Sequence, residues 1–510
     1  MKPQSLRLPL FAATLLAASA PLATAATVNW DGTFVGGANN SGNWTDASNW
    51  STDVVPLSPA NTSDDVKFLD VTGGATRTVS INSGETVTAK TINFTQTTAG
   101  STNLLAIASG GTLNLNSAQT WAAAVAGTAR IDLGGTINFS VYNSGAVTVN
   151  TNLTFTNAGA NFTHGSGSAS SLFNFNGTVS VNAGAGTAQI SDTGHSVTST
   201  FGSGSNLLVN TGVLEFATTL FSSSGGAAGI DVTVQGATTL AAGAGIKLTT
   251  DSAANAGGGS SGVKFTNTGT LGHAGTLTTN GRGAGGATAL TNSGTWKVNG
   301  TGAVIEKSAR ATAANPTFVN SASALFTGSS ATDKIDYNHL TTPGTDLAFT
   351  NSGAIAAGNG SNGSGLASVG TLTLKDFAIT NSASTSSLVF DIGGTGAGQF
   401  DVLALESGSL VLTNATLAIH LVNGFAPGAS FSLNILSSDV PASITGSFVG
   451  ITVNGSANAD YSFSYNTTTG IGTLAYTAAS IPEPSTYALA AGLATLGLAV
   501  LRRRAGTASV

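Results

Sequence analysis

A short phrase, apolar-x-Asn-x-Gly, recurs along the middle of this chain and restricts its possible folds more than any other feature. It stands as Phe155-Thr156-Asn157-Ala158-Gly159, Phe265-Thr266-Asn267-Thr268-Gly269, Leu290-Thr291-Asn292-Ser293-Gly294 and Phe349-Thr350-Asn351-Ser352-Gly353, with Ala322 replacing glycine in Phe318-Val319-Asn320-Ser321-Ala322. Asparagines 267, 292, 320 and 351 are 25, 28 and 31 residues apart, and the related Asn182 and Asn210 are 28 apart. A period in the twenties to low thirties marks a chain built by stacking one supersecondary unit.

Between the phrases the chain alternates in short bursts, among them Thr112-Leu113-Asn114-Leu115, Thr136-Ile137-Asn138-Phe139 and Thr371-Leu372-Thr373-Leu374. Alternation of period two places one row of side chains inward and the next outward, as in a half-buried strand. Helical spacing is absent from the body, and Gly and Asn at the ends of the bursts supply corners of positive φ. Short strands, corner residues and this period together predict an all-β fold, a right-handed parallel β-helix in which each coil turns about three corners before stacking on the last. Asparagines at equivalent corners would bond along the stack as a ladder. A string of small β-sandwiches shows the same alternation, but gives turn-coupled asparagines no reason to recur.

An open solenoid end must be covered. Trp30, Trp44 and Trp50 are three of the five tryptophans and lie within the opening of the body, which predicts an N-terminal cap over residues 26–70. Clustered exposed tryptophans would alternatively stack on sugar rings. This opening is similar to that of bacterial autotransporter-associated repeat proteins, where it starts the β-helix. Repeats are expected over 71–357. A glycine-rich patch at 358–365 separates them from C-terminal coils over 366–480, which resemble the last coils of autotransporter passengers and close with a hairpin at Tyr461 to Tyr465 and Leu474 to Tyr476. No alternating membrane barrel follows, so self-translocation is not implied.

The two ends read as addresses. Lys2 and Arg7, an apolar run from Leu8 to Ala20 and Ala23-Thr24-Ala25 form a secretory signal over 1–25. At the other end Pro482-Glu483-Pro484-Ser485-Thr486 precedes an apolar run from Tyr487 to Leu501 and the cluster Arg502-Arg503-Arg504. That run reaches about 22 Å as a helix, marginal against a hydrocarbon core of about 30 Å. The arginines would keep their end cytoplasmic. Residues 481–504 together resemble the PEP-CTERM sorting signal of Gram-negative bacteria. The resemblance implies Pro482, Glu483, Pro484, Arg502, Arg503 and Arg504 as the sorting residues, a short transmembrane helix that holds the chain transiently in the inner membrane, and an exosortase-type processing partner. It also implies delivery to the cell surface or extracellular matrix, commonly beside exopolysaccharide. The tail is shared by unrelated cargoes and transmits no biochemical activity.

Removal of both ends leaves 12 basic and 22 acidic residues, a balance of −10, which argues against nucleic acid and anionic lipid surfaces as partners. The absence of cysteine excludes a disulfide framework, a thiolate metal site and a cysteine nucleophile. His164, His195, His273, His339 and His420 are scattered without metal-ligand spacing; Asp31, Asp46, Asp64 and Asp65 offer hard oxygens that could hold a stabilising calcium ion but form no calcium-loop pattern, so no metal or cofactor is expected. The densest charged cluster, Asp333-Lys334-Ile335-Asp336-Tyr337-Asn338-His339, carries the paired acids a glycan lyase or hydrolase would need, against the simpler reading of a solvated turn. The expectation is an exported structural or adhesive β-solenoid without catalytic activity. The alternatives are a β-helix glycan-active enzyme, with Asp333 and Asp336 as its acids, and a carbohydrate-binding protein using the tryptophans.

Overall fold

A computed structural model describes residues 27–30, 41–51, 55–56, 64–69, 71, 73–96, 98–116, 119–121, 129–139, 146–164, 171–193, 195–218, 229–250, 262–281, 288–308, 315–359, 369–478 and 484–506. The expected secretory signal at 1–25 lies outside them. The body is a solenoid of about 11 parallel turns, followed by one C-terminal helix.

Each turn contributes a strand to three faces in a fixed order. Residues 152–155, 161–164 and 171–175 form one turn, and the next begins at Thr178. The first and second faces are ladders of a single sheet, because the long strands Thr178–Asp192 and Asn206–Thr218 pass from one face to the other around the corner. Among the described residues the third face is a separate twelve-stranded sheet running from Thr120–Trp121 to Ile444–Thr445, and its pairs are parallel. The asparagine phrases thus lie on parallel strands, the opposite of what separate sandwiches would show.

Alternation decides what each turn shelters. In Thr76–Ile81, Thr102–Ile107 and Ile230–Val234 every second side chain is buried, and the inward rows of Val, Leu, Ile and Phe merge into one core running the length of the stack. Each such side chain contributes about 1.5–3 kcal/mol when it leaves water, yet one turn alone has nothing above or below to bury it. Stability therefore accrues only by stacking.

The corners are of two kinds, and the structure separates phrases that look alike in the sequence. Asn267, Asn292, Asn320 and Asn351 all end third-face strands before the corner into the first face, and Asn381 joins them. Asn157, Asn182 and Asn210 sit at the corner between first and second faces instead. The glycines differ accordingly. Gly184 and Gly212 have positive φ, 63° and 76°. Gly269 and Gly294 do not; a Cβ on Gly294 would stand 2.2 Å from the Gly269 carbonyl oxygen, so glycine is required there by the approach of the neighbouring turn. The expectation of positive φ at these phrases is corrected to that extent.

The long connections change edge partway up the stack. Up to the strand Leu347–Asn351 they join the second face to the third, as between Gly245–Thr250 and Val263–Asn267. Beyond Ala354–Ala356 they join the first face to the second, as between Ser387–Ile392 and Val402–Glu406, while Thr371–Lys375 and Phe377–Asn381 are nearly contiguous. This shift is what the change of texture near 358–365 reflects. The stack itself continues across it, with Ala354–Ala356 paired to residues 387–389 and Thr332–His339 to Thr371–Lys375.

Both ends of the solenoid are closed. Trp30, Trp44 and Trp50 are wholly buried, Trp50 lies edge-on to the other two at 4.9 and 5.0 Å between ring centres, and its Nε1–H donates to the Trp44 carbonyl at 2.8 Å. Phe68 continues the cluster into Phe94 of the next turn. At the far end the hairpin Tyr461–Asn466 and Ile471–Tyr476 lies antiparallel on Phe431–Ser438.

The helix Pro484–Gly506 bears exposed side chains throughout residues 488–504, including Leu489, Leu493, Leu496, Leu498 and Leu501. Among the described residues no helix is long and apolar enough to cross a membrane. The short transmembrane helix expected here is a helix, but Ala, Gly and Thr dilute its leucines and the three arginines shorten the apolar run.

Candidate functional site on the charged strand

The cluster at 333–339 is not a turn but all except the first residue of the second-face strand Thr332–His339, and the strand's period divides it. Asp333, Ile335, Tyr337 and His339 face inward, whereas Lys334, Asp336 and Asn338 face outward. Asp333 and Asp336 therefore stand on opposite sides of the sheet and do not form a pair of acids across one bond. Asp333 is wholly buried and already saturated: it accepts the backbone N–H groups of Gly300, Ser329 and Ser330 at 2.6–2.7 Å and the Ser330 hydroxyl at 2.7 Å. Such an acid holds a corner in place.

On the outer side, Lys334 Nζ lies 2.5 Å from Glu406 Oε2 and 3.6 Å from Asp336 Oδ1, and Lys375 Nζ lies 3.6 Å from Asp336 Oδ2. The bond from Glu406 raises the Lys334 ammonium above its ordinary range, with Asp336 adding to it. Beside this network is a cavity of about 310 Å³ lined by Asp336, Tyr337, His339, Pro343, Lys375 and Asp376. Burial raises the Asp376 carboxyl above its ordinary value, Lys375 opposes this, and the neighbouring carboxylates reinforce it. Burial likewise raises the inward-facing Tyr337 phenol, whose hydroxyl has no hydrogen-bond partner among the described residues. The cavity thus brings together acids and a lysine, a mixed polar lining that suits a small hydroxylated ligand.

The remaining sequence candidates fall into place one by one. The tryptophans are the cap already described and offer no ring face for stacking a sugar, which corrects the carbohydrate-binding reading of Trp30, Trp44 and Trp50. Asp46 caps a short 3-10 turn by accepting from Ser48 N and Oγ, Asp65 is engaged by Thr91 Oγ1 at 2.7 Å and Lys90 at 3.5 Å, Asp64 is buried, and Asp31 lies outside the described residues. Among the described residues no group of three or more His, Asp or Glu could hold a metal ion. Of the sorting residues, Pro482 and Glu483 lie outside the described residues, Pro484 opens the C-terminal helix, and Arg502, Arg503 and Arg504 are exposed near its end.

Two charged groupings were not singled out in the sequence. Glu215 on the outer second face accepts from Gln189, Thr249 and Lys247, at 2.8, 2.7 and 2.8 Å. Burial raises its carboxyl, but these bonds and the lysine charge outweigh that and hold it below its ordinary value. The other grouping joins Asp391, Asp401 and His420. Asp401 accepts the backbone N–H of Gly370 and of Asp391 at 2.7 and 2.8 Å and returns its own N–H to the Asp391 carbonyl, closing the loop 393–400. His420 Nδ1 lies 3.2 Å from Asp391 Oδ1. Burial pushes the Asp401 carboxyl up to about 7, and the Asp391 bond raises His420. The signal was a spacing of 29 residues between Asp391 and His420, one turn of the stack.

No protein-family model and no curated protein matches the chain.

Proposed function

We propose that this chain is an exported structural or adhesive rod of the cell surface or extracellular matrix, a right-handed β-helix delivered and processed through its C-terminal PEP-CTERM-like tail. The observation that carries the reading is how the side chains are allocated. Most large apolar groups of the solenoid are turned inward, while Thr, Ser and Asn recur outward in register, as in the row Thr86, Thr112, Thr136 and Asn161. A surface of repeated weak hydrogen-bonding groups suits multivalent contact with a polymer such as exopolysaccharide, where affinity comes from many equivalent positions. The exposed apolar helix and its arginines suit transient lodging at the inner membrane before an exosortase-type enzyme removes the tail. Mass spectrometry of the native C-terminus with cell fractionation tests this. A terminus near residues 480–486 in the surface or released fraction supports the reading, and an intact Arg502 to Arg504 in the inner membrane overturns it.

The cavity beside Asp336 favours a second reading, a glycan-active site, over the pairing of Asp333 with Asp336. Cleavage of any member of a broad glycan panel, abolished by Asp336→Asn or Asp376→Asn but not by Asp333→Asn, would establish it. No cleavage across the panel would remove it.

A further inference from the structure

Lys307 is an inward-facing residue on the second-face strand Ala303–Lys307, only 4% exposed, and none of the carboxylates described lies within ion-pair distance of it. Its Nζ contacts two groups instead. It donates to Asn315 Oδ1 at 2.9 Å and lies 3.1 Å from His339 Nε2, one turn further along the stack. His339 Nε2 is itself 3.0 Å from Asn315 Oδ1, so amine, amide and imidazole close a triangle. The orientation of the imidazole follows from its other nitrogen. Nδ1 accepts the backbone N–H of Thr342 at 2.9 Å, which leaves the proton of a neutral ring on Nε2, directed at the Asn315 carbonyl oxygen.

We propose that Lys307 and Asn315 join in an intramolecular isopeptide bond, with His339 as the group that polarises the amide. Lys307 Nζ attacks Asn315 Cγ, the Nζ–Cγ bond forms and the Cγ–Nδ2 bond breaks. One Nζ proton leaves with Nδ2 as ammonia, and nothing is oxidised or reduced. Burial lowers Lys307 below its ordinary range and so favours the neutral, nucleophilic amine. Burial lowers His339 too and so favours the neutral ring that donates through Nε2. That donor then faces the oxygen on which negative charge develops. The residue after Asn315 is Pro316, which has no N–H. The usual competing attack on an asparagine side chain, by the next backbone nitrogen, is closed at this position. The bond would tie the end of a second-face strand to the start of the third-face strand Thr317–Asn320, fixing one of the long connections covalently.

Intact mass and tandem mass spectrometry of the purified full-length protein test this. The expected result is a mass lower by one ammonia, about 17 Da, and no tryptic cleavage after Lys307. Cleavage at Arg310 would leave a two-armed peptide linked through Lys307 and Asn315. Lys307→Met and Asn315→Ala should each run at the mass of their sequence. His339→Gln should form the bond about a hundredfold more slowly, which a merely structural role for His339 would not produce in protein that remains folded. A wild-type digest with cleavage after Lys307 and an unmodified Asn315 overturns the proposal, as does an ammonia loss mapped to any other asparagine while Lys307 stays free.

Discussion

Asn320 Nδ2 donates to Asn351 Oδ1 at 2.8 Å and to the Ala354 carbonyl at 3.0 Å, while Asn320 Oδ1 accepts from Asn292 Nδ2 at 2.8 Å. With Asn267 before and Asn381 after, these amides form a fully buried ladder in which each rung satisfies the next. Removing one rung leaves buried donors and acceptors on both neighbours. Asn320→Ala should therefore cost about 2–4 kcal/mol, read as lost amide-exchange protection in the adjoining turns. Asn210→Ala, whose bond to Asn182 is exposed, should stay within about 0.5 kcal/mol.

The tryptophan cap predicts a purely structural loss. Trp50→Ala should destabilise the first turns by about 3–5 kcal/mol and speed their proteolysis, leaving the midpoint of the stack protected. Any polysaccharide binding measured for the wild type at equal folded concentration should be unchanged. A selective loss of binding would return these rings to a recognition role.

Asp333 and Asp336 should separate cleanly on substitution. Asp333→Ala removes a wholly buried acceptor that serves three backbone N–H groups and the Ser330 hydroxyl, and should cost about 3 kcal/mol. Asp336→Ala breaks partly exposed ion pairs and should cost at most about 1 kcal/mol. Urea unfolding monitored at the neighbouring turns distinguishes the two.

The loop closed by Asp401 should loosen as pH rises. Its folded carboxyl lies at about 7, above the ordinary value of 3.8, so the native state holds a proton that the unfolded chain has lost between about pH 4 and pH 7. Stability falls across that window by up to about 4 kcal/mol and is level above it. His420, raised by Asp391, has the same sign, since its contribution is complete below its ordinary 6.5 and is lost as pH rises through its higher folded value. Amide protection factors at Gly370 and Asp391, taken relative to the intrinsic exchange rate at each pH, should be higher at pH 5 than at pH 8, and Asp401→Asn should flatten the difference.

Much of this architecture was legible because its causes are local. Alternation specified the inward rows, recurring Asn marked the corners, and three tryptophans in one short stretch indicated a cap. What escaped depends on the neighbouring turn. Asn157 and Asn267 occupy the same five-residue phrase, but only their stacking partners show that one sits between the first and second faces and the other between the third and first. Gly294 is required by a carbonyl of the preceding turn, which no local rule reveals. The division of Asp333 from Asp336 was readable from strand parity once the segment was taken as a strand rather than a turn. Lys307 with His339, 32 residues apart, and Asp391 with His420, 29 apart, become visible only when the chain is folded back on itself at that interval.

The long connections keep to one edge through most of the stack and then move to another, while the ladders continue across that point. Length and surface are therefore separately heritable. A duplicated winding in the asparagine-laddered segment would lengthen the particle by about 4.8 Å, and a rewritten connection would alter what the particle displays without disturbing the windings on either side. Such a molecule can serve as an adjustable ruler whose markings are exchanged independently of its span.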